Sequence, residues 1–239
     1  MKNFKYDLND PNILNVYQYG SRVYGSHNEN SDYDYILVVS EHFDVDDIDY
    51  HVFTKEAFQM AINEHDISAL ECFFIPEEFK LKETVTFEFK LDKQKLRKSI
   101  STIVNNSYVK AKKKLIVVGD YDLNAGIKSF FHSYRILNFG VQIALTNKIY
   151  DYRCCNWLLT DLQKLSRQYE RNLLWDIIET KYKEQHKSKK HRFKMLCPKE
   201  SKQFNKQVLN KWFSENGLSY MSDKQFEKFT NEIIKKYLI

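Results

Sequence analysis

The sequence predicts an α+β protein in two parts: a small sheet-bearing unit over residues 1–92, then a mostly helical, basic unit over residues 93–239. Three observations lead there. The first third carries short apolar runs with period-two alternation, the spacing of strands. After Lys93 the apolar residues recur three and four apart, the spacing of helices. The charge divides at the same place. Residues 1–92 hold 7 basic against 19 acidic side chains, net −12, and residues 93–239 hold 30 against 13, net +17.

The elements follow in order. Residues 15–19 read as a first strand, 33–39 ("YDYILVV") as a second and 49–54 ("DYHVFT") as a third. Residues 55–64 predict a helix, and 67–74 a short helix or strand ahead of Pro76. "VTFEFKLD", residues 85–92, alternates cleanly and predicts an edge strand. Leu96, Ile100, Ile103 and Val104 then start a helix that runs on towards Val118. The turn signal "GDYDLNAG" separates it from a helix over about residues 125–145. "NWLLTDLQKLSRQ" and "NLLWDIIETKYKEQ" predict two more, and "DKQFEKFTNEIIKKYL" a last one with Asp223 as N-cap.

Composition excludes several classes. With 239 residues and 43% hydrophobic side chains, the chain can bury a real core. No apolar run approaches the roughly 20 residues of a membrane span, and "MKNFKYDLND" lacks an apolar leader core. None of Cys72, Cys154, Cys155 and Cys197 sits in a CxxC pair, which predicts a reducing, cytoplasmic setting. His186, His191 and Cys197 fit no common zinc spacing. An acidic part joined to a basic one predicts a cation site beside a polyanion-binding surface. The lysine runs at residues 110–114 and 181–194 could neutralise an RNA backbone, with steep salt dependence, or could be solvated helix faces.

The chemistry concentrates in "YGSRVYGSHNENSDYDYILVV", residues 19–39. A strand runs into Gly20-Ser21, where glycine lets the backbone turn sharply and approach a bound group. A small hydroxyl at the start of a helix, with backbone N–H groups beside it, suits phosphate oxygens. Gly25 allows a second close approach. Asp32 and Asp34 stand two apart at the start of the next strand, so both carboxylates face one side. Two hard anionic ligands on one point suit Mg²⁺ shared with substrate phosphates. The combination is that of metal-assisted attack on a nucleoside triphosphate.

The stretch resembles the signature of the DNA polymerase β nucleotidyltransferase superfamily, G-S-x-x-x-G followed by S-D-x-D, here Gly20, Ser21, Gly25, Ser31, Asp32 and Asp34. The resemblance implies a small mixed, palm-like sheet and a third carboxylate on a neighbouring strand. Asp49 is the first choice and Asp47 the reserve, out of the cluster Asp44, Asp46, Asp47 and Asp49. That acid would ligate the catalytic Mg²⁺ and serve as, or assist, the general base for the incoming hydroxyl. The paired aspartates would hold two Mg²⁺ ions, for which Mn²⁺ can substitute, and the second would carry the triphosphate.

Over about residues 15–145 the chain also resembles the large nucleotidyltransferases associated with RNA repair, more loosely in its later part. That likeness implies transfer to an RNA 3′ end, such as that of a tRNA. Transfer to a protein or to a small molecule such as an aminoglycoside is the alternative, and a non-catalytic RNA-binding relic a third reading. Lys128, His132 and Arg135 share a helix face at i, i+4 and i+7, with Tyr134 beside them. They read as contacts to the triphosphate or base, or as a polar outer face with a buried histidine. Arg22 reads as a phosphate contact or as a partner for an acid. Glu71 reads equally as structural or functional.

Overall fold

A computed structural model describes residues 4–41, 43 and 50–198. Asp44, Asp46, Asp47, Asp49 and the expected helix capped by Asp223 lie outside the described residues. Residues 1–197 form one compact unit, and residues 198–239 are a second.

The sheet has four strands in the order β3-β2-β1-β4. They are β1 (Ile13–Tyr19), β2 (Asp34–Val39), β3 (Tyr50–Thr54) and β4 (Lys80–Glu83). β1 pairs antiparallel with β2 and β4, and β2 pairs parallel with β3, so the sheet is mixed. Alternation gives it two faces. One carries Val16, Tyr35, Leu37, Val39 and Tyr50 and is covered by Phe4, Tyr6, Leu8 and Phe43. The other carries Tyr17, whose ring stacks on Phe58 at 5.8 Å. Phe58 belongs to α2 (Lys55–Asn63), which is followed by α3 (Ile67–Phe73). Thr54 caps α2 by accepting the Ala57 N–H, and Asp66 caps α3 by accepting those of Ser68 and Ala69.

The expected strand at residues 85–92 does not form. The edge strand is β4, just before it. Side-chain amides hold the alternating segment instead. Asn15 accepts the Thr84 and Val85 N–H groups at 2.9 and 3.0 Å and donates to the Val85 carbonyl at 2.8 Å. Gln59 does the same for Glu88, accepting its N–H at 3.0 Å and donating to its carbonyl at 2.8 Å. These backbone groups are satisfied without a ladder. Phe87 packs edge-on against Phe58, and Phe89 against Phe73 and Phe74.

A helical bundle follows: α4 (Lys93–Ile116), α5 (Leu123–Thr146), α6 (Asn156–Gln168) and α7 (Arg171–Leu196). Its core gathers Ala111, Leu115, Phe130, Tyr134, Leu158, Leu162, Trp175 and Tyr182. α7 buries Leu174, Ile178, Tyr182, Phe193 and Leu196 at helical spacing and turns most of the lysine run outward. Arg97 joins the two ends of the bundle. It donates to the Cys197 and Lys194 carbonyls at 2.6 and 3.1 Å. All four cysteines are free thiols. Among the described residues, no helix is long and apolar enough to cross a membrane.

Candidate active site

The turn after β1 is built from residues that leave little choice. Gly20 has φ +79° and ψ −154°, and Gly25 has φ +65°. Side-chain-bearing residues adopt such angles at a cost. Between the two glycines, Ser21–Tyr24 form the four-residue helix α1. The Gly20 carbonyl accepts the Val23 and Tyr24 N–H groups at 3.1 and 3.3 Å. The amides of Ser21 and Arg22 have no acceptor among the described residues, as expected of a first helical turn.

Asp34 stands directly across from this turn, because Tyr19 pairs with Asp34 at the end of the β1–β2 ladder. A Cβ on Gly20 would collide with the Asp34 carboxylate. The acidic strand end and the glycine turn are therefore packed as one unit. Asp32 lies two residues earlier and is exposed.

Arg22 holds the segment that leads into these aspartates. Its guanidinium donates to the Ser31 carbonyl at 2.6 Å and the Asp32 carbonyl at 3.2 Å, and it lies 3.6 Å over the Tyr33 ring. Sequence offered Arg22 as a phosphate contact or as a partner for an acid; the structure makes it a clamp on the backbone that carries Asp32. Ser31 closes the turn before it, its hydroxyl accepting the Asn28 N–H at 2.9 Å.

Beneath the turn lies a buried polar cluster. The Tyr24 hydroxyl donates to the Glu71 carboxylate. The Arg135 guanidinium carbon lies 3.2 Å over the Tyr24 ring, and its Nη2 is 3.7 Å from Glu71 Oε1 and 2.9 Å from His132 Nδ1. Tyr152 donates to the Glu71 carbonyl at 2.6 Å. Glu71 is 1% exposed and Arg135 3%. Burial pushes the Glu71 carboxyl up, against the pull of Arg135. Burial also holds His132 down to about 3, so its imidazole is neutral and accepts from Arg135.

Lys128, His132 and Arg135 thus form a gradient from solvent to core. Lys128 is exposed, His132 is half-buried, Arg135 is buried and Tyr134 fully so. Arg135 meets Tyr24 beneath the turn and His132 meets Arg135, while Lys128 stands nearly two helical turns back on α5. His186 is boxed by the rings of Tyr108, Phe130 and Tyr134. Among the described residues, no three acidic, histidine or cysteine side chains are grouped to hold a metal. The third acid of the expected set, Asp49, is not among them.

The sequence reading missed the clasp on Gly25. Asn156 donates to the Tyr24 and Gly25 carbonyls at 2.9 and 3.3 Å, and Arg153 packs where a Gly25 side chain would stand. These partners lie some 130 residues downstream, Asn156 at the start of α6 and Arg153 just before it, and no local spacing marks them.

Residues 1–101 match the sequence model of the nucleotidyltransferase domain family. The nucleotidyltransferase match spans the sheet, the glycine turn, both aspartates, α2, α3 and the first turns of α4. It points to nucleotide transfer in general, with a nucleoside triphosphate as substrate and, as is usual for such domains, a divalent metal. The bundle beyond residue 101 lies outside the match. No curated protein and no solved structure matches the chain.

Proposed function

We propose that the chain is a Mg²⁺-dependent nucleotidyltransferase that moves a nucleotide from an NTP to an acceptor hydroxyl at an RNA 3′ end, releasing pyrophosphate. The observation that carries this reading is the packing of Gly20 on Asp34. A turn suited to phosphate and a carboxylate suited to a hard cation share one point.

The donor set fits the metal. Asp32 and Asp34 offer carboxylate oxygens alone, the chemistry Mg²⁺ selects, and Asp34 sits in the hollow left by Gly20. Asp49 is the proposed third ligand. It stands two positions before His51 in the sequence, and His51 pairs with Ile36 on the Asp34 face of the sheet. Bound Mg²⁺ supplies charge neutralisation on the triphosphate and on the leaving pyrophosphate. The Ser21 hydroxyl and the amides of Ser21 and Arg22 bind phosphate oxygens. Arg22, with Ser31, keeps Asp32 in place. Asp49 takes the proton from the attacking hydroxyl. Arg135 and His132 support the turn from below, and Lys128 offers a charge at the surface of the bundle. The net +17 of residues 93–239 favours a polyanionic acceptor.

The test is transfer of label from each of four α-labelled NTPs to total tRNA in Mg²⁺. Label at RNA 3′ ends that is lost in Asp34→Ala and on chelation is the expected result. Label on protein or on an aminoglycoside instead would sink the RNA assignment.

A further inference from the structure

A cavity of about 510 Å³ opens on the same sheet face as Asp34. Its strand side is Tyr19, Ile36, His51 and Phe53, and its helix side is Met60 and Ala61 of α2 with Ser68 of α3. Ile36 lies two residues along β2 from Asp34, about 7 Å away on that face. Tyr19 is the register partner of Asp34 itself. The cavity is therefore continuous with the metal-side edge of the sheet and lies towards β3, the strand that follows the proposed base in sequence. Its size is that of a site for a small organic group.

The lining says which group. Among the described residues, no lysine or arginine lines the cavity, so a triphosphate finds no permanent cation inside it. Two carboxylates stand at its rim, but neither is uncommitted. Asp66 accepts the Ser68 and Ala69 N–H groups as the cap of α3. Glu64 is bonded to Lys95 at 2.8 Å, which holds its carboxyl below the ordinary value. What remains is the His51 imidazole with aromatic and aliphatic surface and the hydroxyls of Tyr19 and Ser68, a lining suited to a heterocyclic ring that stacks on Phe53 and Tyr19 and hydrogen-bonds at its edge. Just outside the Glu64 rim, α4 presents Lys95 and then Lys98, both near enough to act on the Glu64 carboxyl. Lys95 is held by Glu64, whereas Lys98 is exposed; a ring inside with a phosphate leaving over that lysine is the chemistry of a strand terminus. A polycationic aminoglycoside would meet those lysines and find the rim acids already engaged.

We propose that this cavity seats the terminal nucleoside of the acceptor strand, with its 5′ phosphate passing over the exposed Lys98, beside the Lys95–Glu64 pair. The inference rests on the proposed transfer reaction.

Two variants test it. Ala61→Phe fills the cavity, and Lys98→Glu reverses a charge outside it without touching the packing. Affinity for a labelled RNA 3′ end is read by anisotropy, and NTP affinity by equilibrium binding, so neither readout depends on turnover. The expected result is about tenfold weaker RNA binding in each variant, with NTP affinity unchanged and with an RNA acceptor KM raised in parallel. Weakened NTP binding in Ala61→Phe would assign the cavity to the incoming base and overturn the proposal. Unchanged RNA affinity in both variants would overturn it as well, as would an aminoglycoside whose binding Ala61→Phe abolishes while RNA binding persists. Absence of transfer with RNA binding still sensitive to both variants would sink the proposed reaction and leave the cavity assignment standing.

Discussion

Arg135 stacks on Tyr24, its guanidinium carbon 3.2 Å from the ring centroid. The contact joins α5 to the four-residue helix behind the glycine turn, and Glu71 completes the joint by accepting from Tyr24. A planar cation suits this place because it faces a ring and a carboxylate at once. Arg135→Met should leave the Glu71 charge buried without its cation and cost about 3–5 kcal/mol. Arg135→Lys should recover only part, lacking the planar stack. Thermal denaturation checks the stability. Glu71→Gln with Arg135→Met in a double-mutant cycle should show strong coupling.

Gly20→Ala should impair transfer more than it impairs folding. The substitution strains a positive φ and drives the new methyl into the Asp34 carboxylate. The backbone cost is about 1–2 kcal/mol, whereas transfer should fall by about two orders of magnitude as Asp34 is displaced. Comparing melting temperature with single-turnover rate separates the two effects.

Arg22→Ala should weaken divalent-metal affinity with little change in thermal stability. It releases the Ser31 and Asp32 carbonyls and unstacks Tyr33, freeing the exposed segment that carries Asp32. Arg22→Lys should not rescue, since a single ammonium cannot replace two donors in one plane. In a Mg²⁺ titration of transfer rate, the half-saturation point should rise about tenfold in both variants, the penalty typical of losing a partner that orients a metal ligand.

Acid should destabilise the protein over a window to which His132 and His186 contribute, beside the buried His65, which burial also shifts down. Burial holds His132 down to about 3 and His186 down to about 4, from an ordinary 6.5. Both groups therefore bind fewer protons folded than unfolded between those values and 6.5. Their contribution to stability is fully present above pH 6.5 and falls as pH drops towards 4 and 3. His186→Phe should flatten part of this slope in urea denaturation series run from about pH 7 down to about pH 4.

Asn15→Leu should loosen residues 84–85. It removes three hydrogen bonds to backbone in a half-buried setting, a loss of about 2–3 kcal/mol. Amide exchange at Thr84 and Val85 should rise well above that of β1.

The strands and helices with strong periodicity were legible from sequence. β1, β2, α2, α4 and α5 arise where alternation or helical spacing places them. Residues 85–92 mislead because alternation reports only that two faces differ. Phe87 and Phe89 do pack inward, but the backbone beside them is bound by Asn15 and Gln59 rather than by a strand. Sequence spacing also groups Lys128, His132 and Arg135, and it cannot tell that only the last is buried. What turns Arg135 inward is Glu71, 64 residues earlier on another element, and no local pattern reports a pairing of that range. The glycine turn was legible, and its packing against Asp34 follows from residues close in sequence.

Arg97 reaches the carbonyls of Lys194 and Cys197, a hundred residues further along the chain. Elongation at about 5–20 residues per second means that roughly 5–20 s separate the synthesis of the two ends. Through that interval α4 and α5 wait on the ribosome with the surface meant for α7 uncovered, including Tyr108 and Phe130. The Arg97 contact itself can form only after Cys197 has been made. The bundle thus completes late in translation, because the residues that cover Tyr108 and Phe130, Trp175 and His186 of α7, are made long after α4 and α5.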